Sequence, residues 1–254
     1  MKAEQRALQF SCEGHSLVGI IDVPERPLQR GVLVVSCAPQ YRVGSHRQYT
    51  LMARLLAPRG IAVMRFDCRG MGDSEGDSAT LPQELASIDQ DIRAAIDEFF
   101  RQMPELVEVV IWALGDAASA AALYAHTDPR VRGLVLLNPW AGADQDAQAA
   151  LLPQLLARFG EIGFWKKVGT RHSHAVEANL PLPQRLVAGL ACLNGAALLI
   201  VGSEDRIGRQ FAALLERNAS PCRQVTITGA NHTFASREWR DEVAELSANW
   251  IASW

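Results

Sequence analysis

Short apolar segments alternate with segments of helical periodicity over most of the chain. The apolar segments have the continuous hydrophobic character of strands that are buried on both faces, and they lie at residues 31–36, 61–66, 109–114, 133–137, 197–201 and 224–227. Between them, residues 83–102 carry Leu85, Ile88, Ile92, Ile96 and Phe99 at spacings of three or four, which predicts an amphipathic helix. Strands separated by such helices predict an α/β domain with a mostly parallel sheet and helices on both faces.

The two ends and one internal stretch depart from this alternation. Residues 7–11 and 17–23 predict an antiparallel hairpin that turns at residues 13–15, and residues 238–254 predict a terminal helix packed on the sheet. Residues 139–196 fit neither period, and we expect them to form a small lid or cap inserted into a single domain of residues 1–254.

One strand runs directly into a turn of small residues and then a helix. In the sequence Val-Val-Ile-Trp-Ala-Leu-Gly-Asp-Ala-Ala at 109–118, Gly115 stands at the turn, with Ala113 and Ala117 two places on either side. In α/β-hydrolases a turn of this kind holds the nucleophile in strained geometry, and small flanking residues prevent clashes. We therefore expect Gly115 to occupy a nucleophile position that has no reactive side chain.

An acid and a base follow later strands. Asp205 comes after the apolar segment 197–201, and His232 comes after the segment 224–227. The order of nucleophile, acid and histidine is that of α/β-hydrolases, in which the carboxylate orients the imidazole and the imidazole acts as general base. The alternatives are a solvated aspartate in a turn and a loop histidine that binds only backbone.

Other groups near the turn offer alternative chemistry. Asp116 can serve as a nucleophile of the dehalogenase kind, although that would place Leu114 where a small residue is needed; capping of the following helix is the alternative. Ser119 is expected in the first turns of that helix. Cys37 and Cys68 are candidates for displaced nucleophiles, and buried small apolar residues are the alternative for both.

Composition and charge exclude several classes of partner. A net charge of -3 with 21% charged residues provides no basic surface for nucleic acid or an anionic membrane. Five cysteines stand singly, which indicates neither a disulfide framework nor a zinc site and is typical of a reducing cytoplasm. We predict no cofactor, no metal, no membrane span and no secretory signal.

Several strings together resemble a known family. Residues 67–76, Asp-Cys-Arg-Gly-Met-Gly-Asp-Ser-Glu-Gly, resemble the D-x-R-G-x-G-x-S-x-G signature of α/β-hydrolases. With residues 39–48, 116–120 and 164–165, they resemble the hydrolases associated with exosortase A systems (type 1). That resemblance implies a cysteine nucleophile at the position that Gly115 holds here. The chain also departs from the family at Ala113 and at the pair 37–38, where the family has glycines.

The resemblance and the turn geometry together imply an α/β-hydrolase fold that acts on acyl esters or thioesters. Oxyanion donors are expected from the backbone N–H of Asp116 and of Ala38 or Cys37. Candidate substrate-binding residues are Arg42, His46, Met71, Phe164 and Trp165, with Arg42 suited to an anionic group. We expect Arg69 to brace its own glycine-rich loop.

Without a nucleophile the activity is expected to be weak or absent. The alternative is a non-catalytic protein that binds a ligand or acts as a scaffold for proteins of an exosortase or exopolysaccharide system.

Overall fold

A single eight-stranded sheet forms the centre of the described part of the molecule. The structure is a computed structural model, and it describes residues 4–36, 41–76, 81–140 and 180–253, with the backbone alone for 81–87. The strands are β1 (Glu4–Cys12), β2 (His15–Val23), β3 (Arg30–Ser36), β4 (Ala62–Asp67), β5 (Glu108–Leu114), β6 (Val131–Leu137), β7 (Ala196–Gly202) and β8 (Cys222–Ile227). Their order is β1-β2-β4-β3-β5-β6-β7-β8. Only the pairs β1–β2 and β2–β4 are antiparallel, which confirms the predicted hairpin and the mostly parallel sheet.

Helices cover both faces of this sheet. They are α1 (Gln48–Leu56), α2 (Leu81–Gln102), α3 (Asp116–Tyr124), α4 (Leu182–Cys192), α5 (Arg206–Arg217) and α6 (Arg237–Ile251). Short 3-10 turns occupy Ser45–Arg47, Ala57–Arg59 and Ala125–Thr127. The predicted helices at 83–102 and 238–254 correspond to α2 and α6. Among the helices of the described ranges, none has the length and apolar character needed to cross a bilayer.

Alternating side chains of the central strands feed two hydrophobic cores. One core lies between the sheet and helices α2 to α5, where Ile92, Ile96 and Phe99 of α2 are fully buried. The other lies beneath α1 and α6, where the buried indole of Trp112 donates a 3.0 Å hydrogen bond to Ser247 Oγ. Because β5 is buried on both faces, the turn that follows it is held between two packed layers.

The end of the predicted lid takes part in the main domain. Helix α4 packs against α3 and contributes buried Leu186, Val187 and Leu190 to the first core. The part of the lid at residues 141–179 lies outside the described residues.

Candidate active site

A single glycine makes the turn from β5 into α3. Gly115 has φ 64° and ψ −127°, a region that residues with a Cβ rarely occupy. Its N–H donates to the carbonyl of Leu137 at 2.9 Å, and its own carbonyl accepts from the N–H groups of Ala118 and Ser119. The flanking residues Ala113 and Ala117 are buried. Backbone hydrogen bonds to β6 and within α3 therefore fix the shape of this turn.

The residue at this turn faces an imidazole. An ideal Cβ at Gly115 would lie 3.3 Å from Nε2 and 3.6 Å from Cε1 of His232. On the other side of the same ring, Nδ1 lies 2.5 Å from Oδ2 of Asp205. The three predicted positions thus converge, with an intact acid–base pair and no heteroatom at residue 115.

Asp205 is held from two directions. It is the N-cap of α5, where Oδ1 accepts from the N–H of Ile207 at 3.0 Å and of Gly208 at 3.2 Å, while Oδ2 faces His232. The residue is only 6% exposed, so the alternative of a solvated turn aspartate is wrong. Burial alone would raise the pKa of this carboxyl, but the hydrogen bonds from His232 and from the backbone outweigh it and lower the pKa below 3.8.

His232 stands at the surface of the site. Its side chain is about half exposed, 52%, whereas that of Asp205 is 5% exposed, so Nε2 remains open to a reacting molecule. The hydrogen bond to Asp205 raises the pKa of His232 above 6.5 against the opposing effect of desolvation, and the charge of Asp116 adds to the rise. This pair therefore stabilises an imidazolium, which is what a general base needs after it has taken a proton.

Asp116 begins helix α3 next to the turn. Its side chain is exposed, and as the acidic residue in the first turn of α3 it interacts favourably with the positive end of the helix dipole. Surrounding protein atoms raise the pKa of this carboxyl by desolvation, and a charged His232 opposes that rise. Its backbone N–H belongs to the first turn of the helix, which leaves such donors without an intrahelical acceptor. The other predicted oxyanion donors, Cys37 and Ala38, lie outside the described residues.

The glycine-rich string at 67–76 forms a loop that is organised around one buried carboxylate. Asp67 is fully buried and accepts from the N–H of Arg42 at 2.6 Å and from the N–H of Asp73 at 3.1 Å. The guanidinium of Arg42 binds both Asp67 and Asp73. Arg42 therefore anchors these loops through Nη1, and its predicted role in substrate binding stays a prediction.

Arg69 connects the glycine-rich loop to helix α2. Its Nε donates to Asp91 of α2 at 2.6 Å, and its backbone N–H donates to the same carboxylate at 2.9 Å. These bonds hold the loop against the helix.

The remaining predicted residues are distributed as follows. His46 is exposed with a φ of 53°, and Met71 is partly buried against the first core. Phe164 and Trp165 lie outside the described residues. Ser119 is in α3, as expected, and donates to the carbonyl of Trp140, while Cys68 is 2% exposed within the first core. Among the described residues, no cluster of histidine, cysteine and carboxylate side chains has the arrangement of a metal site.

The sequence analysis missed one residue that touches this site. Asn138, directly after β6, is fully buried and donates from Nδ2 to the carbonyl of His232 at 2.8 Å. Its Oδ1 accepts from the N–H of Gly202, at the end of β7, at 2.9 Å. A polar residue at the carboxyl end of an apolar strand was the only signal available.

A turn after β5, an acid after β7 and a histidine after β8, all at one edge of this sheet, define the α/β-hydrolase superfamily. Within it, the chain matches the serine aminopeptidase S33 family (Hydrolase_4) over residues 42–179, more than half of its length, and belongs to that family. No curated protein sequence matches the chain at a significant level.

Solved structures share the fold over almost the entire chain. DcsB, determined in complex with its substrate analogue, aligns with a TM-score of 0.70 at 15% identity, covering 98% of this chain and 99% of DcsB. A dienelactone hydrolase from Anabaena variabilis gives 0.68 at 17% identity, covering 99% and 98%. Est1E from Butyrivibrio proteoclasticus, with bound ferulic acid, gives 0.64 at 18% identity, covering 97% and 100%. At these identities the likeness establishes the α/β-hydrolase fold.

Proposed function

We propose that this protein is an acyl hydrolase of the ester or thioester type whose acid–base pair is intact and whose covalent nucleophile is missing, so that its turnover is weak. One observation carries the proposal. The Cβ direction of Gly115 points at Nε2 of His232 from 3.3 Å, while Nδ1 of the same ring is paired with Asp205. This is the arrangement in which a serine or cysteine at position 115 would give up its proton to the histidine.

With glycine at the turn, no acyl-enzyme forms at residue 115, and water is the remaining acyl acceptor. Neutral His232 takes a proton at Nε2 from a water molecule as the water oxygen attacks the carbonyl carbon. We assign stabilisation of the oxyanion to the backbone N–H of Asp116, and the imidazolium then returns the proton to the departing alkoxide or thiolate. Sites that lack a nucleophile retain rate enhancements of roughly 10³ to 10⁴ over solution, which is the level we expect here.

Restoring the nucleophile tests this proposal. Gly115→Cys and Gly115→Ser are compared with Gly115→Ala, which adds the same Cβ and the same backbone strain without a reactive atom. We expect the cysteine and serine variants to hydrolyse short-chain p-nitrophenyl esters and acyl thioesters at least about tenfold faster than wild type, and the alanine variant to gain nothing. Adding His232→Ala to either active variant is expected to abolish the gain.

Thiol labelling provides an independent readout for Gly115→Cys. Burial raises the pKa of Cys12 and of Cys222 to about 12, so these native thiols are poor nucleophiles near neutral pH. A new thiol beside His232 is expected to react with iodoacetamide much faster than any thiol of the wild type. A folded Gly115→Cys protein with neither faster labelling nor faster ester turnover would refute the placement of residue 115.

The same missing side chain favours a second function. A pocket that keeps its acid–base pair but not its nucleophile suits a protein that binds an acyl or peptide ligand without consuming it. The sequence resemblance points to an exosortase or exopolysaccharide system as the setting. Binding of an intact acyl ester by wild type, measured by calorimetry, with no product after prolonged incubation would select this function over slow hydrolysis.

A further inference from the structure

Asn138 connects the two strand ends that carry the acid and the base. We infer that Asn138 is a positioning residue for the Asp205–His232 pair, its carboxamide fixing the loop of the histidine to the turn of the aspartate. The inference concerns the geometry of the pair in the resting protein. It rests on the presence of that pair and not on any turnover.

Both the nitrogen and the oxygen of the Asn138 carboxamide form hydrogen bonds. Nδ2 donates to the backbone carbonyl of His232 at 2.8 Å, and Oδ1 accepts from the backbone N–H of Gly202 at 2.9 Å. Gly202 ends β7, three residues before Asp205. One side chain directly after β6 thus links the end of β7 to the residue that supplies the imidazole.

The bridge is also packed against the helix that Asp205 caps. An ideal Cβ on Gly208 would lie 2.8 Å from Oδ1 of Asn138, so the amide oxygen sits directly beside the residue whose N–H binds Asp205. The backbone of Asn138 is itself fixed, because its N–H donates to the carbonyl of Ile200 at 3.1 Å. Displacement of this side chain would therefore disturb both partners of the pair.

The hydrogen bonds and the backbone conformation at position 138 both suit asparagine. The site needs one donor for a carbonyl and one acceptor for an N–H, and the residue is 0% exposed, so water does not replace either bond. Asparagine also tolerates the left-handed backbone found here, with a φ of 41°. Aspartate would offer the acceptor but not the donor when ionised, and leucine would offer neither.

Other bonds hold the histidine loop on both sides of His232, including the one from the N–H of Ala235 to Asn231 Oδ1 at 3.0 Å. Gly229 N–H donates to Ser203 Oγ at 2.7 Å, and the carbonyl of Ala230 accepts from Glu204 N–H at 2.9 Å. Among the described residues, the bond from Asn138 Nδ2 reaches the backbone carbonyl of His232 itself. It fixes the backbone position from which the imidazole, held at Nδ1 by Asp205, faces residue 115.

The experiment removes the side chain without adding backbone strain. Asn138→Gly accepts the positive φ and deletes both side-chain bonds, and Asn138→Asp keeps the volume and the acceptor. The matched control is Asn218→Asp at the end of α5, where Asn218 Nδ2 also donates to a backbone carbonyl, that of Leu214, at 2.8 Å. The readouts on the resting protein are the pKa of His232 and its Nδ1 proton resonance, both from NMR of histidine-labelled protein.

We expect the pKa of His232 to fall toward 6.5 in Asn138→Gly and its Nδ1 proton resonance to broaden or vanish, with Asn218→Asp behaving as wild type. In a Gly115→Ser background, Asn138→Gly is expected to lower kcat about 10- to 100-fold with little change in KM. An unchanged pKa and resonance in folded Asn138→Gly would overturn the inference. If that variant does not fold, the Nδ1 resonance of Asn138→Asp decides: its loss supports the role, and its retention refutes it. These measurements need no activity, so they stand even if Gly115→Ser gains none.

Discussion

Replacing Gly115 by alanine separates the backbone strain of the turn from its chemistry. The residue adopts φ 64° and ψ −127°, and its N–H and carbonyl are both bound, so the backbone has little freedom to relax. A residue with a Cβ in such a region costs about 1–3 kcal/mol. The new Cβ would also approach His232 Nε2 to 3.3 Å, a close contact that a half-exposed ring relieves by a small shift.

The entropy of the unfolded chain partly offsets this loss of stability. Replacing glycine by alanine lowers the entropy of the unfolded chain and contributes about 0.4–1 kcal/mol in favour of folding. The balance is a loss of about 1–2 kcal/mol in the free energy of unfolding, which in a domain of this size lowers Tm by about 2–8 °C.

The assay is equilibrium unfolding in urea with a thermal scan alongside, and the matched control is Gly14→Ala. Gly14, in the turn between β1 and β2, also has a positive φ, 81°, but a Cβ there would have no heavy atom within 4 Å. Both variants are expected to lose stability through strain, and Gly115→Ala is expected to lose more because its Cβ also meets His232. If Gly115→Ala were as stable as wild type, the turn would accept a Cβ without strain, and the reasoning would be refuted.

Four further predictions concern charge. The pKa of His232 in the folded protein is raised above 6.5. The stability that this shift contributes is fully present below about pH 6.5 and is lost as the pH rises through the raised pKa. We therefore expect the urea midpoint of wild type to exceed that of His232→Gln by more at about pH 5 than at about pH 9. A pH-independent difference would contradict this. The lowered pKa of Asp205 affects stability at acidic pH. The stability that it contributes is present above about pH 3.8 and is lost as the pH falls through the lowered pKa. Acid unfolding of wild type and of Asp205→Asn, measured side by side, checks this expectation. Gly115→Ser is expected to give a kcat/KM that rises with pH to a plateau with a midpoint above 6.5, and a midpoint below 6.5 would show that His232 is not the base. Finally, Asp67→Asn removes the fully buried partner of Arg42 and is expected to lower the free energy of unfolding by about 3 kcal/mol. Asp73→Asn removes the 52% exposed partner of the same arginine and is expected to lower it by less than about 1 kcal/mol. Equal losses would refute the central role of Asp67.

The pattern of the sequence was sufficient for the sheet and for the three positions that meet at its edge. Continuous apolar runs specify strands buried on both faces, and the carboxyl ends of parallel strands lie at one edge of a sheet. Gly115, Asp205 and His232 each follow such a run, and that common position is the reason why their meeting was predictable.

Pairings between loops were not predictable in the same way. Arg42 has the guanidinium expected of an anion-binding residue, yet it binds Asp67, whose 25-residue separation carries no periodic signal. Asn138 was missed for a related reason: one asparagine after a strand is typical of a turn, and only the folded chain reveals that its two ends reach β7 and the histidine loop. The predicted oxyanion residues Cys37 and Ala38 and the predicted pocket residues Phe164 and Trp165 stay predictions.

The backbone bonds of Gly115 have a consequence for protein engineering. Because the turn takes its shape from backbone bonds to Leu137, Ala118 and Ser119 and not from a side chain of its own, a residue introduced at position 115 is held in the same shape, at the cost in strain given above. An unnatural amino acid could be introduced at position 115, with a selenol, a hydrazine or an N-heterocycle in its side chain. That side chain would begin next to the imidazole of His232, which Asp205 already holds. The molecule is thus a ready host for artificial catalysts, with no native nucleophile at the turn to compete with the new one.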